Sequence, residues 1–233
     1  MNLKNYLGQN HPRLFNAMLR MRSLASVPVR PSLIRRYLAS TDSPKLQLGA
    51  GRNPLPGWLN TDYWAKYPDF IYVDVCRRFP LPDGVFTRIF SEHMIEHIPF
   101  EGAVHMLAEC FRVMKPGGRI RIETPDLEKI CGLYAQPPAP GSEEYIRWHF
   151  AEFGCKRYPP TACFAINNAM RNWDHIFVFD AQMLQLLLEE AGFRNVTRHT
   201  WNETGDPAFT NISQRGSLSW NAFETLVMEA EKP

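Results

Sequence analysis

Residues 45–62, KLQLGAGRNPLPGWLNTD, contain two short apolar runs that each end in residues suited to contact with a ligand. The first run ends in Gly49-Ala50-Gly51, and small residues at the end of a strand let a ligand approach the backbone closely. The second run ends at Asp62, whose carboxylate can accept hydrogen bonds from a ribose diol. Together these features favour a nucleotide-like ligand, although a glycine pair alone is a weak signal because such pairs are common at turns.

Strands and helices alternate along the rest of the chain, as judged from hydrophobic periodicity. The predicted strands are residues 46–48, 58–61, 70–75, 88–91, 119–123, 195–200 and 225–230. The predicted helices are residues 100–114, 127–134 and 181–191, with a short extended run over 176–179. This alternation predicts an α/β protein with a doubly wound sheet.

Local signals define the ends of two of these helices. The helix over 100–114 should stop at Lys115-Pro116-Gly117-Gly118, because proline cannot continue a helix and glycine permits a left-handed exit. Asp180 is a suitable cap for the helix over 181–191, which should stop at Gly192. Asp126 is predicted to cap the helix that follows it, with a role at the substrate as the alternative.

Two segments stand apart from the domain expected over residues 45–233. Residues 1–40 contain seven Lys or Arg and no acid, while the remainder holds 19 basic and 24 acidic residues. We therefore expect a basic helical arm over residues 1–44 that is solvated, touches an anionic substrate or membrane surface, covers the ligand site, or serves as a transit peptide. Residues 136–174 form an aromatic-rich insertion after the fifth strand, where it could act as a lid or pack as a small core of its own.

The cysteines and the hydropathy of the chain indicate the cellular compartment in which the protein is expected. The chain has five cysteines without a C-x-x-C pair, which argues against a disulfide framework and favours a reducing compartment. Their spacings fit no standard zinc site, so no metal is expected. No apolar run approaches the roughly 20 residues that span a bilayer, and no secretory signal is visible, so we expect a cytoplasmic protein.

Four ordered pieces of the chain resemble class I S-adenosylmethionine-dependent methyltransferases. They are LQLGAGRNPLPGWLNTD, VDVCRRFPLPDGVFTRIFSEHMIEHI, LAECFRVMKPGGRIRIETPD and HIFVFDAQMLQLLLEEAGFRNV, which together cover residues 45–134 and 175–200. More narrowly, the chain is similar to a small methyltransferase-11-like subgroup, several members of which are linked to surface-glycan pathways. The resemblance implies a Rossmann-like, mostly parallel sheet of seven strands with an antiparallel last strand.

The resemblance also implies S-adenosyl-L-methionine as the cofactor, with S-adenosyl-L-homocysteine as its product. In such a site Gly49, Ala50 and Gly51 would border the methionine part of the cofactor. Asp62 would hold the ribose hydroxyls, while Asp74 and Val75 would lie at the adenine.

The acceptor side is expected at the end of the fourth strand, where the resemblance places Ser91, Glu92 and His93 near the cofactor amino group and the acceptor. Methyl transfer from a sulfonium is an in-line displacement, so proximity and alignment are the main contributions of the enzyme. A hydroxyl acceptor also needs a base, for which imidazole titrates in the right range. His93 and His175 are the candidate catalytic residues, and His97 either shares a helical face with His93 or packs in the interior.

One departure from the family concerns the start of the domain. Only six residues separate Gly51 from Trp58, whereas a parallel crossover usually needs about a dozen or more. The third glycine of the fuller motif is also absent. Either the first helix is very short or the second strand starts later than residue 58.

The acceptor is open at this point. A sugar hydroxyl of a glycan or glycolipid intermediate is the first choice by resemblance, and Trp148, Tyr158 or Trp173 could stack on it. The alternatives are a small metabolite methylated on oxygen or nitrogen, and a catalytically silent binding protein with the methyltransferase fold. A nicotinamide-dependent oxidoreductase is disfavoured because Asp62 arrives too early. No nucleic acid partner is expected, since the main domain is net acidic.

Overall fold

The computed structural model describes residues 12–64, 67, 69–154, 157–213 and 219–233. In these ranges seven strands form one sheet with the order β3-β2-β1-β4-β5-β7-β6. The strands are β1 (Lys45–Leu48), β2 (Leu59–Asp62), β3 (Ile71–Tyr72), β4 (Phe86–Glu92), β5 (Met114–Pro125), β6 (Arg194–His199) and β7 (Thr225–Glu231). The pairs among β1 to β5 are parallel, and β7 is antiparallel to both β5 and β6. The predicted α/β sheet with an antiparallel last strand is thereby confirmed.

Eight helices accompany the sheet in the described ranges. They are α1 (Pro12–Ala25), α2 (Arg30–Ala39), α3 (Phe100–Val113), α4 (Leu127–Cys131), α5 (Ser142–Phe153), α6 (Ala162–Arg171), α7 (Ala181–Glu190) and α8 (Ser219–Glu224). Short 3-10 turns are Ile95–His97, Gly132–Tyr134, Asn172–Asp174 and Pro207–Phe209. Within the described ranges no helix combines the length and the apolarity that crossing a membrane requires.

The main core lies between the sheet and the helices α3 and α7. Leu46, Leu48 and Ile122 of the central strands are fully buried against Leu107 of α3 and Leu188 of α7. The central strands are buried on both faces, as expected for a parallel sheet covered by helices.

The predicted helix ends are close to those observed. Helix α3 ends at Val113, and Gly117 has the expected left-handed backbone with φ of +72° in the turn that opens β5. The Asp180 carboxylate accepts a hydrogen bond from the Met183 amide at 2.7 Å, and Asp126 accepts one from the Glu128 amide at 3.0 Å. Both predicted caps are therefore present.

Two predicted strands need correction. Strand β2 begins one residue later than predicted and ends at Asp62, and β3 is limited to Ile71–Tyr72 instead of residues 70–75. Residues 73–75, which follow the observed end of β3, line the crevice instead. The extended run over 176–179 contributes one bridge to the structure, between Asp126 and Phe179.

No helix lies between β1 and β2, which are joined by ten residues, 49–58, all of them described. Two side-chain amides hold this connection. Gln47 donates to the Asn53 carbonyl and accepts from the Leu55 amide, each at 3.0 Å. Asn60 accepts from the same Leu55 amide at 2.9 Å and donates to the carbonyls of Leu55 and Trp58. These bonds satisfy backbone groups that a helix would satisfy internally.

A separate apolar cluster covers the sheet where that helix is missing. Leu55 and Trp58 of the connection pack with Phe90 of β4 and with Phe209 and Ile212 from the segment before β7. The rings of Trp58 and Phe90 lie 6.3 Å apart in an edge-on arrangement. The apolar area that a crossover helix would bury is supplied instead by a distant part of the chain.

The N-terminal helix α2 packs directly on the sheet. Ile34 is buried in the main core, and the Tyr37 hydroxyl accepts from the Lys45 amide and donates to the Lys45 carbonyl, both at 2.8 Å. Arg30 also donates to the Tyr72 carbonyl at 3.2 Å. Residues 1–11 and several side chains of α1 lie outside the described residues, and the division into an arm over 1–44 and a domain over 45–233 stays a prediction.

We expect Gln47→Met to lower the free energy of unfolding by about 1–3 kcal/mol, because the Asn53 carbonyl loses its donor and the buried Leu55 amide keeps only its bond to Asn60. Urea denaturation measures this change. The matched control is Gln182→Met on the exposed side of α7, which we expect to shift the free energy by less than about 0.5 kcal/mol. Equal losses in the two variants, or no loss in Gln47→Met, would contradict the role of the amide.

Candidate active site

A crevice of about 600 Å³ opens beyond the carboxyl ends of β1 to β4. This is the position at which open α/β sheets bind ligands, and the volume lies within the range of small-molecule sites. Its wall is formed by Gly49, Gly51, Thr61, Asp62, Tyr63, Trp64, Val73, Asp74, Val75, Cys76, His93, Met94, His97, Ile98, Pro99, Trp173, Asp174 and Ile176.

A glycine turn forms the wall after β1. Gly49 and Gly51 have φ of +69° and +57°, which L side chains rarely adopt. A Cβ atom on Gly49 would also lie 2.7 Å from the Cβ of Met94. Both backbone geometry and space therefore require glycine at position 49, and the turn leaves its backbone open to the crevice.

Asp62 ends β2 and fastens this turn. Its Oδ2 atom accepts from the Gly51 amide at 2.7 Å, and its Oδ1 atom accepts from the Trp64 amide at 2.6 Å. The side chain is largely buried but remains on the crevice wall. Each carboxylate oxygen can accept a further hydrogen bond, so Asp62 retains capacity for a ligand's hydroxyl groups.

Asp74 and Val75 follow β3 and also lie on the wall. The Asp74 carboxylate accepts from the Cys76 amide at 3.1 Å and forms an ion pair with Arg77 at 3.3 Å. The glycine turn, Asp62 and this pair thus line one continuous side of the crevice, as their order in the sequence predicts.

Three other predicted residues are not on the wall. Ala50 is buried against Phe70, and Ser91 is fully buried within β4. Glu92 ends β4 and is also buried. Ala50 lies between the wall residues Gly49 and Gly51, and Glu92 directly precedes His93.

His93 contributes to the crevice wall at the end of β4. It follows β4 with φ of +45°, an uncommon backbone conformation for a residue other than glycine that points to a local constraint. Its amide donates to the Glu123 carbonyl at 2.8 Å. The ring places Nε2 3.3 Å from Oγ1 of Thr225 and Nδ1 3.3 Å from Oε1 of Glu96.

Glu96 lies behind the wall in a fully buried position surrounded by histidines. Its Oε1 atom is 3.9 Å from Nε2 of His97 and 3.9 Å from Nε2 of His175, while its Oε2 atom accepts from the Thr124 hydroxyl at 3.0 Å. Burial raises the pKa of Glu96, but interaction with His93 and then His97 outweighs it, so the pKa lies below its ordinary value. The carboxylate is therefore charged at neutral pH.

His175 lies behind His97 and is not among the wall residues. The two rings meet edge-on with centroids 4.9 Å apart, and Nδ1 of His175 lies 2.7 Å from the Ala169 carbonyl. The Glu96 carbonyl accepts from the amides of Ile176 and Phe177, which attaches the end of the insertion to the turn after β4. Sequence reasoning gave Glu96 no part in this cluster, although its position between two histidines in SEHMIEHI was the available signal.

The insertion contributes Trp173 and Asp174 to the crevice, both with left-handed backbone. Trp148 packs on Tyr145 and His149 within the insertion instead, and Tyr158 is exposed. A shallower depression on the insertion is lined by Phe153, Phe164, Asn167, Asn168, Arg171 and Asn172. Of the three aromatic residues proposed to stack on an acceptor, Trp173 therefore reaches the crevice.

Similarity to proteins of known structure is low in sequence and extends over most of the chain. A methyltransferase from Thermotoga maritima, described as a possible histamine N-methyltransferase, is 15% identical, with 99% of this chain and 97% of that chain covered and a TM-score of 0.50. A methyltransferase from Archaeoglobus fulgidus is 17% identical, with 96% and 100% covered and a TM-score of 0.49. Phosphoethanolamine N-methyltransferase 2 of Haemonchus contortus is 13% identical, with 83% and 50% covered and a TM-score of 0.46. No curated protein matches the chain significantly in sequence.

The family comparison gives a more specific result. Residues 54–122, which run from the β1–β2 connection into β5, match the family model described as a methyltransferase domain. The strand order with an antiparallel β7 and the crevice at the carboxyl ends of the strands agree with that match. Over residues 54–122 the chain therefore matches a methyltransferase domain, and its fold is that of the S-adenosylmethionine-dependent methyltransferase from Thermotoga maritima.

Proposed function

We propose that this protein transfers a methyl group from S-adenosylmethionine to a hydroxyl group of a sugar, in a glycan or glycolipid intermediate. The observation that carries the proposal is a crevice whose wall combines two chemically different groups of residues. The glycine turn and Asp62 are called the first side here, and His93, His97 and Trp173 are called the second side. The first suits a nucleoside-containing cofactor and the second a polar acceptor with a ring face.

The residues of the first side fit the cofactor. Gly49 and Gly51 both line the crevice, and the open space beside Gly51 leaves room for the methionine part. The unused acceptor capacity of Asp62 suits the two ribose hydroxyls. Asp74 and Val75 are assigned to the adenine. When bound, S-adenosylmethionine supplies an electrophilic methyl group with its leaving group built in.

The second side would bind and activate the acceptor. The Trp173 indole offers an apolar face to a sugar ring, while polar groups around it fix orientation. We assign the proton that leaves the acceptor hydroxyl to Nε2 of His93, where that hydroxyl would replace the Thr225 hydroxyl now 3.3 Å away. Nδ1 faces the Glu96 carboxylate, which orients the imidazole. His175 lies behind His97 and is therefore assigned no contact with the acceptor.

Two further proposals concern the binding partners, namely nucleic acid and the membrane surface. Nucleic acid is not the proposed acceptor, since residues 41–233 hold 24 acidic against 19 basic residues. The excess of positive charge before residue 41 suits contact with a membrane surface that carries a glycolipid acceptor.

We expect Asp62→Ala to weaken S-adenosylhomocysteine binding about ten- to hundredfold, because hydrogen bonds to a charged group are worth about 1.5–3 kcal/mol. Isothermal titration calorimetry measures the affinity, and circular dichroism verifies that the variant is folded. The matched control is Asp42→Ala, at an exposed position outside the crevice. Unchanged affinity in folded Asp62→Ala would remove the ribose assignment, and no binding by the parent protein would favour a silent binding protein.

We expect methyl transfer from radiolabelled S-adenosylmethionine to sugars and glycolipid head groups in preference to amines, catechols or RNA. For the best acceptor, Trp173→Ala should raise KM by about tenfold while S-adenosylhomocysteine affinity changes less than twofold, because the lost contact is with the acceptor face. Exposed Tyr158, replaced by alanine, is the control. Exclusive methylation of an amine, or an equal effect of both aromatic variants, would refute the acceptor half of the proposal.

A further inference from the structure

We propose that Glu96, His97 and His175 form a binding site for a divalent transition-metal ion, with Zn²⁺ as the expected occupant. One ligand atom from each residue lies within 4.8 Å of the other two. The residues come from the turn after β4 and from the end of the insertion, so the fold brings together side chains 79 positions apart in the sequence.

The donor set identifies the class of metal. Two imidazole nitrogens and one carboxylate oxygen form a three-ligand set found in catalytic zinc sites, where water or substrate takes the remaining position. Imidazole ligands favour Zn²⁺, Fe²⁺, Ni²⁺ or Cu²⁺ over Mg²⁺ and Ca²⁺, which prefer oxygen ligands. The absence of cysteine from the set makes Zn²⁺ in an open site the best match.

Supporting contacts already orient two of the ligands. Nδ1 of His175 lies 2.7 Å from the Ala169 carbonyl, which can only accept, so Nδ1 carries the proton and Nε2 keeps its lone pair towards Glu96. The Thr124 hydroxyl donates to Oε2 of Glu96 at 3.0 Å and leaves Oε1 for a ligand. Metal-binding histidines and carboxylates are typically held by such outer contacts.

An unsatisfied atom lies at the centre of the cluster. Oε1 of Glu96 is buried and accepts no hydrogen bond with full geometry from the residues that the structure describes. Among the described residues, the ion-pair partners of Glu96 are all histidines. The distances from Oε1 are 3.3 Å to His93 and 3.9 Å to His97 and His175. A buried carboxylate needs compensation by positive charge, which a metal ion supplies.

The distances are close to those of a metal centre. Bonds of about 2.0–2.1 Å in a tetrahedral site place ligand atoms about 3.4 Å apart, so the two 3.9 Å separations must close by about half an ångström. His97 is 32% exposed on the crevice wall and has room to make this adjustment.

The open coordination position would face the crevice beside His97. If the acceptor is a hydroxyl, which rests on the proposed function, a metal ion there would make that hydroxyl easier to deprotonate. The proton would pass to His93, the carbon–oxygen bond would form as the carbon–sulfur bond breaks, and no oxidant or reductant is required.

The test is calorimetric titration of the full chain with ZnCl₂ after treatment with chelator and dialysis. We expect one equivalent to bind, and substitution of Co²⁺ should give visible absorption bands typical of nitrogen and oxygen ligands. His97→Ala and Glu96→Gln should each weaken Zn²⁺ binding by at least about a hundredfold. Because His97 is partly exposed, its variant is the one expected to remain folded if Glu96→Gln does not.

The control is His199→Gln, which removes a histidine that lies 3.5 Å from a buried carboxylate, Glu229, away from the crevice. The His199→Gln variant should bind Zn²⁺ with the same stoichiometry and affinity as the parent protein. The absence of binding by folded parent protein, or equal binding by parent and His97→Ala, would overturn the metal site. S-adenosylhomocysteine is titrated separately, so loss of the metal site and loss of the cofactor site are distinguishable outcomes.

Discussion

The side-chain amides of Gln47 and Asn60 determine how closely β1 and β2 can be connected, and the cofactor side of the crevice depends on that connection. They satisfy the backbone groups of a ten-residue link that has no helix to do so. With the link fixed, Leu46 pairs with Leu59, and Asp62 reaches the Gly51 amide. One pair of polar side chains inside two apolar strands thus sets both the register and the position of the main carboxylate of the crevice.

Two buried carboxylates lie near histidines in the part of the structure that contains His93. Glu96 and Glu224 both lie behind the crevice, near His93 and His149 respectively. Burial raises the pKa of Glu224, but contact with His149 and the attraction of His93 lower it overall. Each of the two buried carboxylates has histidine neighbours, and attraction between the two kinds of group stabilises the ionised carboxylates in the interior.

The sheet and several residues of the crevice wall could be predicted from the sequence because the patterns that indicate them are local. Alternating apolar runs predicted the strands, and Gly49, Gly51, Asp62 and Asp74 follow those runs directly. The missing helix could be anticipated from the short spacing before Trp58, but its replacement could not. Gln47 and Asn60 looked like ordinary interruptions of apolar strands, and their partners are backbone atoms that no pattern reveals.

The histidines around Glu96 were harder to predict because their arrangement depends on contacts between residues that are far apart in the sequence. His93 was recognisable at the end of a strand, whereas the relation of Glu96 to His175 arises only when the insertion returns to the turn after β4. Similarly, Ser91 was expected near the ligand from its place in the chain, yet the alternation of side chains along β4 places it on the same face as Ile89, which packs in the main core.

The apolar cluster around Trp58 has a consequence for how the chain acquires its structure. Because Phe209 and Ile212 pack with Leu55, Trp58 and Phe90, the β1–β2 connection and this face of β4 cannot finish burying their apolar side chains until the C-terminal part of the chain has been made. A crossover helix would have closed this face with neighbouring residues. The cluster that replaces this helix raises the contact order, which slows folding. It also extends the time for which a chain growing on the ribosome exposes aggregation-prone apolar surface.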